Sequence, residues 1–266
     1  MEFGPYAAVG DLRASVDAHG FAIVRKIIAP GITERFLEAL HQVYELDAAG
    51  KIEGISESER EALDRGDVWP NALGRYTGLD FASYFSVPLL SSVTKQLLKK
   101  PEPVMHTLIT VSDRFPQSIR GIQMHTDGIV QGTTDAVIAM WSPLHVCGTR
   151  APGLSLMSAG KPSVVSYLQK AFPDKQIPGW SSSTEWGTAF YEHDLRKAFG
   201  EPITPQLEPG DVVIFTNWTI HGTQRISGHR SAIVQRWKGK TWRDHSFGTR
   251  WGMPRWILGT SRESPT

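Results

Sequence analysis

From about residue 104 onward the chain is written in short apolar runs, 104–111, 121–126, 135–146, 154–158, 211–217 and 231–237, set off from one another by turns that contain glycine or proline. Runs of this length, rich in β-branched and aromatic residues, read as strands. Strands in close succession with tight turns between them pair antiparallel, so this half of the chain predicts a sandwich or jelly roll with flanking helices, a mostly β fold. The clearest signal is Glu208-Pro209-Gly210-Asp211 followed by Val212-Val213-Ile214-Phe215, a tight turn that launches a buried strand.

The first hundred residues have a different texture. Residues 11–19 predict a helix, 20–25 a short strand that Pro30 ends, and 32–48 a helix, since Phe36, Leu37, Leu40, Val43 and Tyr44 recur at helical spacing. The charged stretch 56–67 reads as a surface helix or loop, and 87–100 as a further helix before Pro101. Between 161 and 205 an insertion interrupts the strands, with helices predicted over 162–172 and 189–199. We expect one domain over 1–266: a helix and strand part to about 103, a β core over about 104–240 carrying the insertion, and a tail from 241 to 266.

At 266 residues the chain can bury a large core. Its 28 Lys+Arg against 27 Asp+Glu give no global field to recruit nucleic acid or an anionic membrane, so a small-molecule substrate is the expected partner and a monomer or weak homodimer the expected state. The single cysteine, Cys147, has no intrachain partner, and no positively charged leader with an apolar core precedes Asp11, which together suggest a reducing cytoplasm. The longest apolar runs, such as 136–141, fall far short of the ~20 residues that span a bilayer.

Three residues carry chemistry. In Gln123-Met124-His125-Thr126-Asp127-Gly128 the histidine and aspartate are two apart, which puts them on one face of an extended strand. His221 follows the 211–217 strand, and Arg230 lies nine residues after it, at the start of the last strand. A His-x-Asp pair alone is common on protein surfaces, and so is a late histidine. Together, with the second histidine placed after a Pro-Gly-Asp turn and an apolar strand, they form two imidazoles and one carboxylate, the donor set of a non-haem Fe(II) oxygenase with open positions for cosubstrate and O2. An arginine suits the distal carboxylate of such a cosubstrate because its planar fork pairs bidentately. Arg230 is better placed for that than Arg225, which falls in the turn 224–228.

With these residues in view the chain resembles the phytanoyl-CoA dioxygenase family of Fe(II)- and 2-oxoglutarate-dependent oxygenases. The likeness covers His19-Gly20-Phe21-Ala22-Ile23-Val24 and roughly 121–237, and is weak over 46–101 and in the last thirty residues. It implies a cupin-like double-stranded β-helix, with Fe(II), 2-oxoglutarate and O2 as cofactors. It also implies iron ligands at His125, Asp127 and His221, a 2-oxoglutarate anchor at Arg230 with a hydroxyl partner at Thr223, a pocket tryptophan at Trp141 and a cosubstrate contact at Gln123. Without the family, Trp141 reads as core, and Gln123 equally as a cosubstrate contact or a polar group satisfied in a strand. Where the family often has Asn-Gly and then Pro-Gly-Ser-His after the central strand, this chain has Ala151-Pro152-Gly153-Leu154-Ser155, which leaves the pocket near that turn open to question. Asp127 stands where related halogenases carry a small residue, so oxygenation rather than chlorination is implied.

The expected activity is oxidation of a C–H bond of a small organic molecule, hydroxylation first, in natural-product or other secondary metabolism. The alternatives are an acyl-CoA hydroxylase, a metal-binding or sensing barrel without turnover, and a nucleic-acid demethylase, which the balanced charge disfavours. The segment 173–187 carries Trp180 and Trp186 among Gly, Pro and Ser; it is either a lid over the substrate or a surface loop. The aromatic and basic tail reads as tryptophans packed on the barrel with their charges in water, or as a grip on a phosphorylated ligand.

Overall fold

A computed structural model describes residues 1–64, 66–68, 70–79, 87–98, 103–112, 124–127, 137–171, 192–224, 226 and 228–239. Glycine and proline punctuate its first part. Helix α1 (Val9–His19) stops at Gly20, whose φ of 85° closes the C-cap with its N–H on the Val16 carbonyl. No side chain fits there, since a Cβ would lie 2.6 Å from the Ala159 carbonyl oxygen. The chain then enters β2 (Phe21–Val24), which pairs in parallel with β1 (Glu2–Phe3), and α2 (Pro30–Ala48) begins with Pro30 in its first turn. The charged stretch forms α3 (Glu57–Asp64). It opens on a capping box in which Ser56 Oγ accepts from Glu59 N at 3.2 Å and Glu59 Oε2 accepts from Ser56 N at 2.8 Å. Strand β3 (Asp67–Val68), α4 (Pro70–Thr77), α5 (Pro88–Leu98) and the long β4 (Pro103–Ser112) follow.

The later strands are β5 (Val137–Pro143), β6 (Leu154–Leu156), β7 (Val212–Thr216), β8 (His221–Thr223) and β9 (Ser231–Gly239). Helices α6 (Lys161–Ala171) and α7 (Glu192–Phe199) form the described part of the insertion. Seven strands make one sheet in the order β1-β2-β7-β5-β9-β4-β3, antiparallel except at the β1–β2 edge. Strands β6 and β8 make a second, antiparallel sheet. Isolated bridges widen it: His125 pairs with His221 on one side, and Leu156 with Ile203 on the other.

Period-two alternation sorts the large sheet into two faces. Ala22, Val24, Ile138, Met140, Val212, Ile214 and Ile233 face one way and pack with Leu12 and Val16 of α1, Phe36, Leu40 and Val43 of α2 and Leu90 and Val93 of α5. Phe21, Ile23, Ala139, Trp141, Val213, Phe215, Ala232 and Val234 face the other way and share a core with Leu154 and Leu156 of the small sheet. Behind the small sheet a third cluster packs Val164 and Leu168 of α6 and Leu195 of α7 against Met124, Met157, Trp218 and Ile220. The layers therefore run helices, large sheet, small sheet, insertion helices.

The strands expected at 104–111, 135–146, 154–158, 211–217 and 231–237 are present within a few residues, as are the helices expected at 11–19, 32–48, 87–100 and 162–172. Of the strand expected over 121–126 only its end, 124–126, is described, and residues 189–191 of the helix expected over 189–199 and the whole tail lie outside the described residues. The short β1, β3 and β8 and helix α4 have too few residues to announce themselves by periodicity.

Among the described residues, no helix is long and apolar enough to cross a membrane.

Candidate metal centre

The Pro-Gly-Asp turn sets the register of everything downstream. Gly210 has a φ of 96° and its absent Cβ would meet the Ile28 carbonyl oxygen at 2.6 Å. Asp211, almost wholly buried, ties the turn down: its Oδ2 accepts from Glu208 N at 2.9 Å and Arg25 Nη1 at 2.7 Å, and its Oδ1 accepts from Lys26 N at 2.9 Å. From that fixed start β7 runs along the large sheet, and a turn at 217–220 delivers His221 to the small one. His221 thus follows β7, as expected, and is the first residue of β8.

His125 and His221 are direct cross-strand partners, each N–H on the other's carbonyl at 2.9 Å. In that antiparallel pair the two side chains share a face, and His221 pairs on its other side with Leu156, which faces the large sheet. Both imidazoles therefore project between the sheets, with ring centroids 4.4 Å apart, and the ring of Phe215 lies 4.7 Å from that of His221. At Asp127 the backbone has turned helical, so the two-residue spacing does not act through an extended strand. The turn still brings Asp127 Oδ1 to 3.5 Å from His125 Nε2. One donor atom from each of His125, Asp127 and His221 lies within 4.8 Å of the others, and all three residues are buried.

Charge and tautomer suit a cation there. His221 Nδ1–H donates to the Thr219 carbonyl at 2.9 Å, which leaves Nε2 as the lone-pair nitrogen. Burial, with the neighbouring His125, lowers the His221 pKa to about 4, so its ring is neutral at physiological pH. Burial works to raise the Asp127 pKa, but Arg236 and the two histidines outweigh it and hold the carboxyl well below the usual range. Arg236 Nε donates to Asp127 Oδ2 at 3.2 Å. Nothing in the sequence pointed to this arginine, which stands 109 positions from its partner.

Arg230 and Thr223 meet as expected. The buried guanidinium donates from Nη2 to Thr223 Oγ1 at 3.1 Å and from Nη1 to the Gly153 carbonyl at 3.2 Å, and lies 5.9 Å from the Trp141 ring centre. It immediately precedes β9 rather than standing within it. The turn that departs from the family pattern is the one that receives it, and Gln224 braces that turn, accepting from Gly153 N and donating to the Gly148 carbonyl, both at 3.2 Å. Thr223 sits two residues along β8 from His221 on the same face, so the Arg230–Thr223 pair lies to one side of the triad along that strand. Gln123, Trp180, Trp186 and Arg225 lie outside the described residues. His145 Nε2 accepts from Ser231 N at 3.3 Å, outside the donor cluster.

No family model matches the chain, and no curated protein matches it in sequence. Solved structures do resemble it. One is AviO1 from Streptomyces viridochromogenes Tue57, at 14% identity and a TM-score of 0.55 over 88% of this chain and 96% of that one. Another is the non-heme alpha-ketoglutarate-dependent carbocyclase SnoK from nogalamycin biosynthesis, at 15% identity and 0.56 over 90% and 87%. A third is the non-heme alpha-ketoglutarate-dependent epimerase SnoN from the same biosynthesis, at 11% identity and 0.53 over 87% and 80%. At such identities the likeness is one of fold: the chain has the fold of non-heme alpha-ketoglutarate-dependent enzymes, a cupin-like arrangement of mixed sheet and flanking helices. In that fold it carries a buried His-Asp-His cluster of its own.

Proposed function

We propose that this chain is a jelly-roll oxygenase of the phytanoyl-CoA dioxygenase type that uses Fe(II), 2-oxoglutarate and O2 to oxidise a C–H bond of a small organic molecule. The observation that carries the reading is the conjunction of two sites on one face. A two-histidine, one-carboxylate cluster sits beside a buried arginine and threonine, the threonine on the same short strand as His221.

The residues fit the group. His125, Asp127 and His221 would hold Fe(II), since imidazole and carboxylate suit a borderline dication. Arg230, with Thr223, would hold the distal carboxylate of 2-oxoglutarate, and Trp141 would wall that pocket. Bound Fe(II) supplies the activation of O2 coupled to decarboxylation of 2-oxoglutarate to succinate and CO2. The protein's own part is orientation and exclusion of water. Phe215 and Trp141 line the inner face of the large sheet with apolar surface, and Thr219 fixes the His221 ring.

The substrate we favour is a natural-product intermediate, on the strength of SnoK and SnoN, and hydroxylation is the outcome we favour. Ring closure and epimerisation, the activities in those two neighbours' descriptions, are separated from it by product analysis. A lid in which Trp180 or Trp186 closes over the site belongs to the same proposal, as do a monomeric or weakly dimeric state and action on a soluble small molecule rather than nucleic acid. The test is substrate-free turnover. Purified protein with Fe(II), ascorbate, O2 and 2-oxoglutarate is expected to release succinate above a chelator-treated control. Metal binding without any succinate would return the chain to a sensing or storage module, and no metal binding would end the reading.

A further inference from the structure

Arg236 is a charged residue at the end of a mostly apolar run on the inner face of β9. It follows Ala232 and Val234 at period two along β9 and opposes Ala139 of β5, so it projects with Trp141 and Phe215 into the space between the sheets. There it meets Asp127, whose two oxygens have different neighbours. Oδ1 lies 3.5 Å from His125 Nε2, inside the donor cluster, and Oδ2 lies 3.2 Å from Arg236 Nε. The acceptor is nearly buried while the arginine side chain keeps 21% of its surface exposed, so its charge stays partly hydrated. It is therefore a tolerable resident beside a dication, where a fully buried arginine would repel it strongly.

Resting on the metal reading above, we propose that Arg236 is a positioning residue. By engaging Oδ2 it fixes the Asp127 carboxylate plane and leaves Oδ1 as the one oxygen offered to a metal ion shared with His125 and His221. A carboxylate on a turn has two torsions to order before it can ligate, and the side chain of Asp127 lies beyond the paired part of its strand. A hydrogen bond that orders it in advance lowers the cost of binding. Two effects of the arginine oppose each other. Its charge repels the ion, while its hydrogen bond orients the ligand; the proposal is that orientation wins.

Substitutions separate the two because Gln places its amide nitrogen the same number of bonds from the backbone as Arg Nε. Arg236→Gln therefore keeps a donor at that position without the charge, Arg236→Met removes both, and Arg236→Lys keeps the charge but carries its nitrogen one bond further. The readout is the dissociation constant for Co(II), titrated anaerobically by its visible absorption on the full chain, with thermal melting of the metal-free variants alongside. We expect Arg236→Met to weaken Co(II) by about 10–100-fold, Arg236→Gln to stay within a few-fold of the parent, and Arg236→Lys to fall between them. Unchanged or tighter binding in Arg236→Met overturns the proposal, as does a Gln variant that shifts as far as Met. If the Met variant does not fold, Lys matching the parent while Gln is weakened overturns it equally. Failure of the parent to bind Co(II) is a separate result, and it removes the proposed function along with the role of Arg236.

Discussion

Asp127 serves two neighbours with one carboxylate, and the consequences of removing either side differ. His125→Ala, Asp127→Ala and His221→Ala are each expected to abolish succinate formation while the metal-free protein melts within a few degrees of the parent, because these side chains face an open donor cluster rather than a packed core. Arg230→Ala is expected to act on the cosubstrate. Loss of a partly buried charge-assisted pair costs ~2–5 kcal/mol, tens to thousands of fold in the KM for 2-oxoglutarate with little change in metal affinity. Removing the Thr223 hydroxyl as Thr223→Val costs about 1 kcal/mol on the same measurement. Acidification has a definite sign. An unfolded imidazole takes its proton near pH 6.5 and folded His221 only near 4. Between those values the unfolded state binds more protons, so stability of the metal-free protein falls as pH drops through that window. His145, whose pKa burial also lowers, contributes in the same direction. Melting temperatures at pH 7 and pH 5 check this, and a protein equally stable at both would contradict it. The clustering of His125, Asp127 and His221 was legible because ligand chemistry restricts residue type and the His-x-Asp spacing is short, whereas Thr223 beside Arg230 was suggested only by the family likeness. Arg236 was not, since its ion pair forms only when β9 lies across from the 124–127 turn, a contact no local pattern encodes.

Elements were legible in proportion to their length and to the sharpness of their ends. The Glu208-Pro209-Gly210-Asp211 turn announced β7 because proline and a positive-φ glycine restrict the backbone directly, and Asp211 then satisfies two backbone N–H groups and one end of Arg25. What the sequence did not disclose is that Arg25 also donates to the Gln206 carbonyl and to Glu2, which ties β1, β2 and the turn into one joint. Asp211→Ala is expected to cost about 3 kcal/mol in denaturant unfolding, from orphaned backbone donors and a broken, mostly buried pair. Glu2→Ala, at the exposed end of the same network, should cost within about 1 kcal/mol. Equal effects would mean that the joint acts through the exposed pair. Strand β8 escaped notice for the opposite reason: three residues give no periodicity, and its identity comes wholly from pairing with β6 and His125.

Across the whole molecule, two apolar layers support the large sheet and the small sheet independently. The larger layer packs α1, α2 and α5 on the outer face of the large sheet, the face turned away from the donor cluster. The other lies behind the small sheet, where Val164, Leu168 and Leu195 of the insertion meet Met124 and Ile220, the residues immediately before His125 and His221. Insertion helices that looked in the sequence like an addition to the β core thus form the wall behind the segments that carry His125 and His221. Truncating a buried leucine in either layer, Leu40→Ala or Leu168→Ala, removes similar volume and costs about 2–5 kcal/mol of stability. The two should part company on metal binding. Leu40→Ala leaves the small sheet's backing intact and is expected to keep the parent's dissociation constant for Co(II). Leu168→Ala opens a cavity in the cluster that includes Met124 and Ile220 and is expected to weaken Co(II) by about tenfold, the scale on which loss of ligand support is felt. Metal-dependent stabilisation reports the same difference, since a bound ion raises stability by an amount set by its concentration over its dissociation constant. If both variants bind Co(II) equally, the insertion helices stabilise the fold without holding the site. If only Leu168→Ala binds more weakly, the wall behind the small sheet is part of what makes the cluster a metal centre.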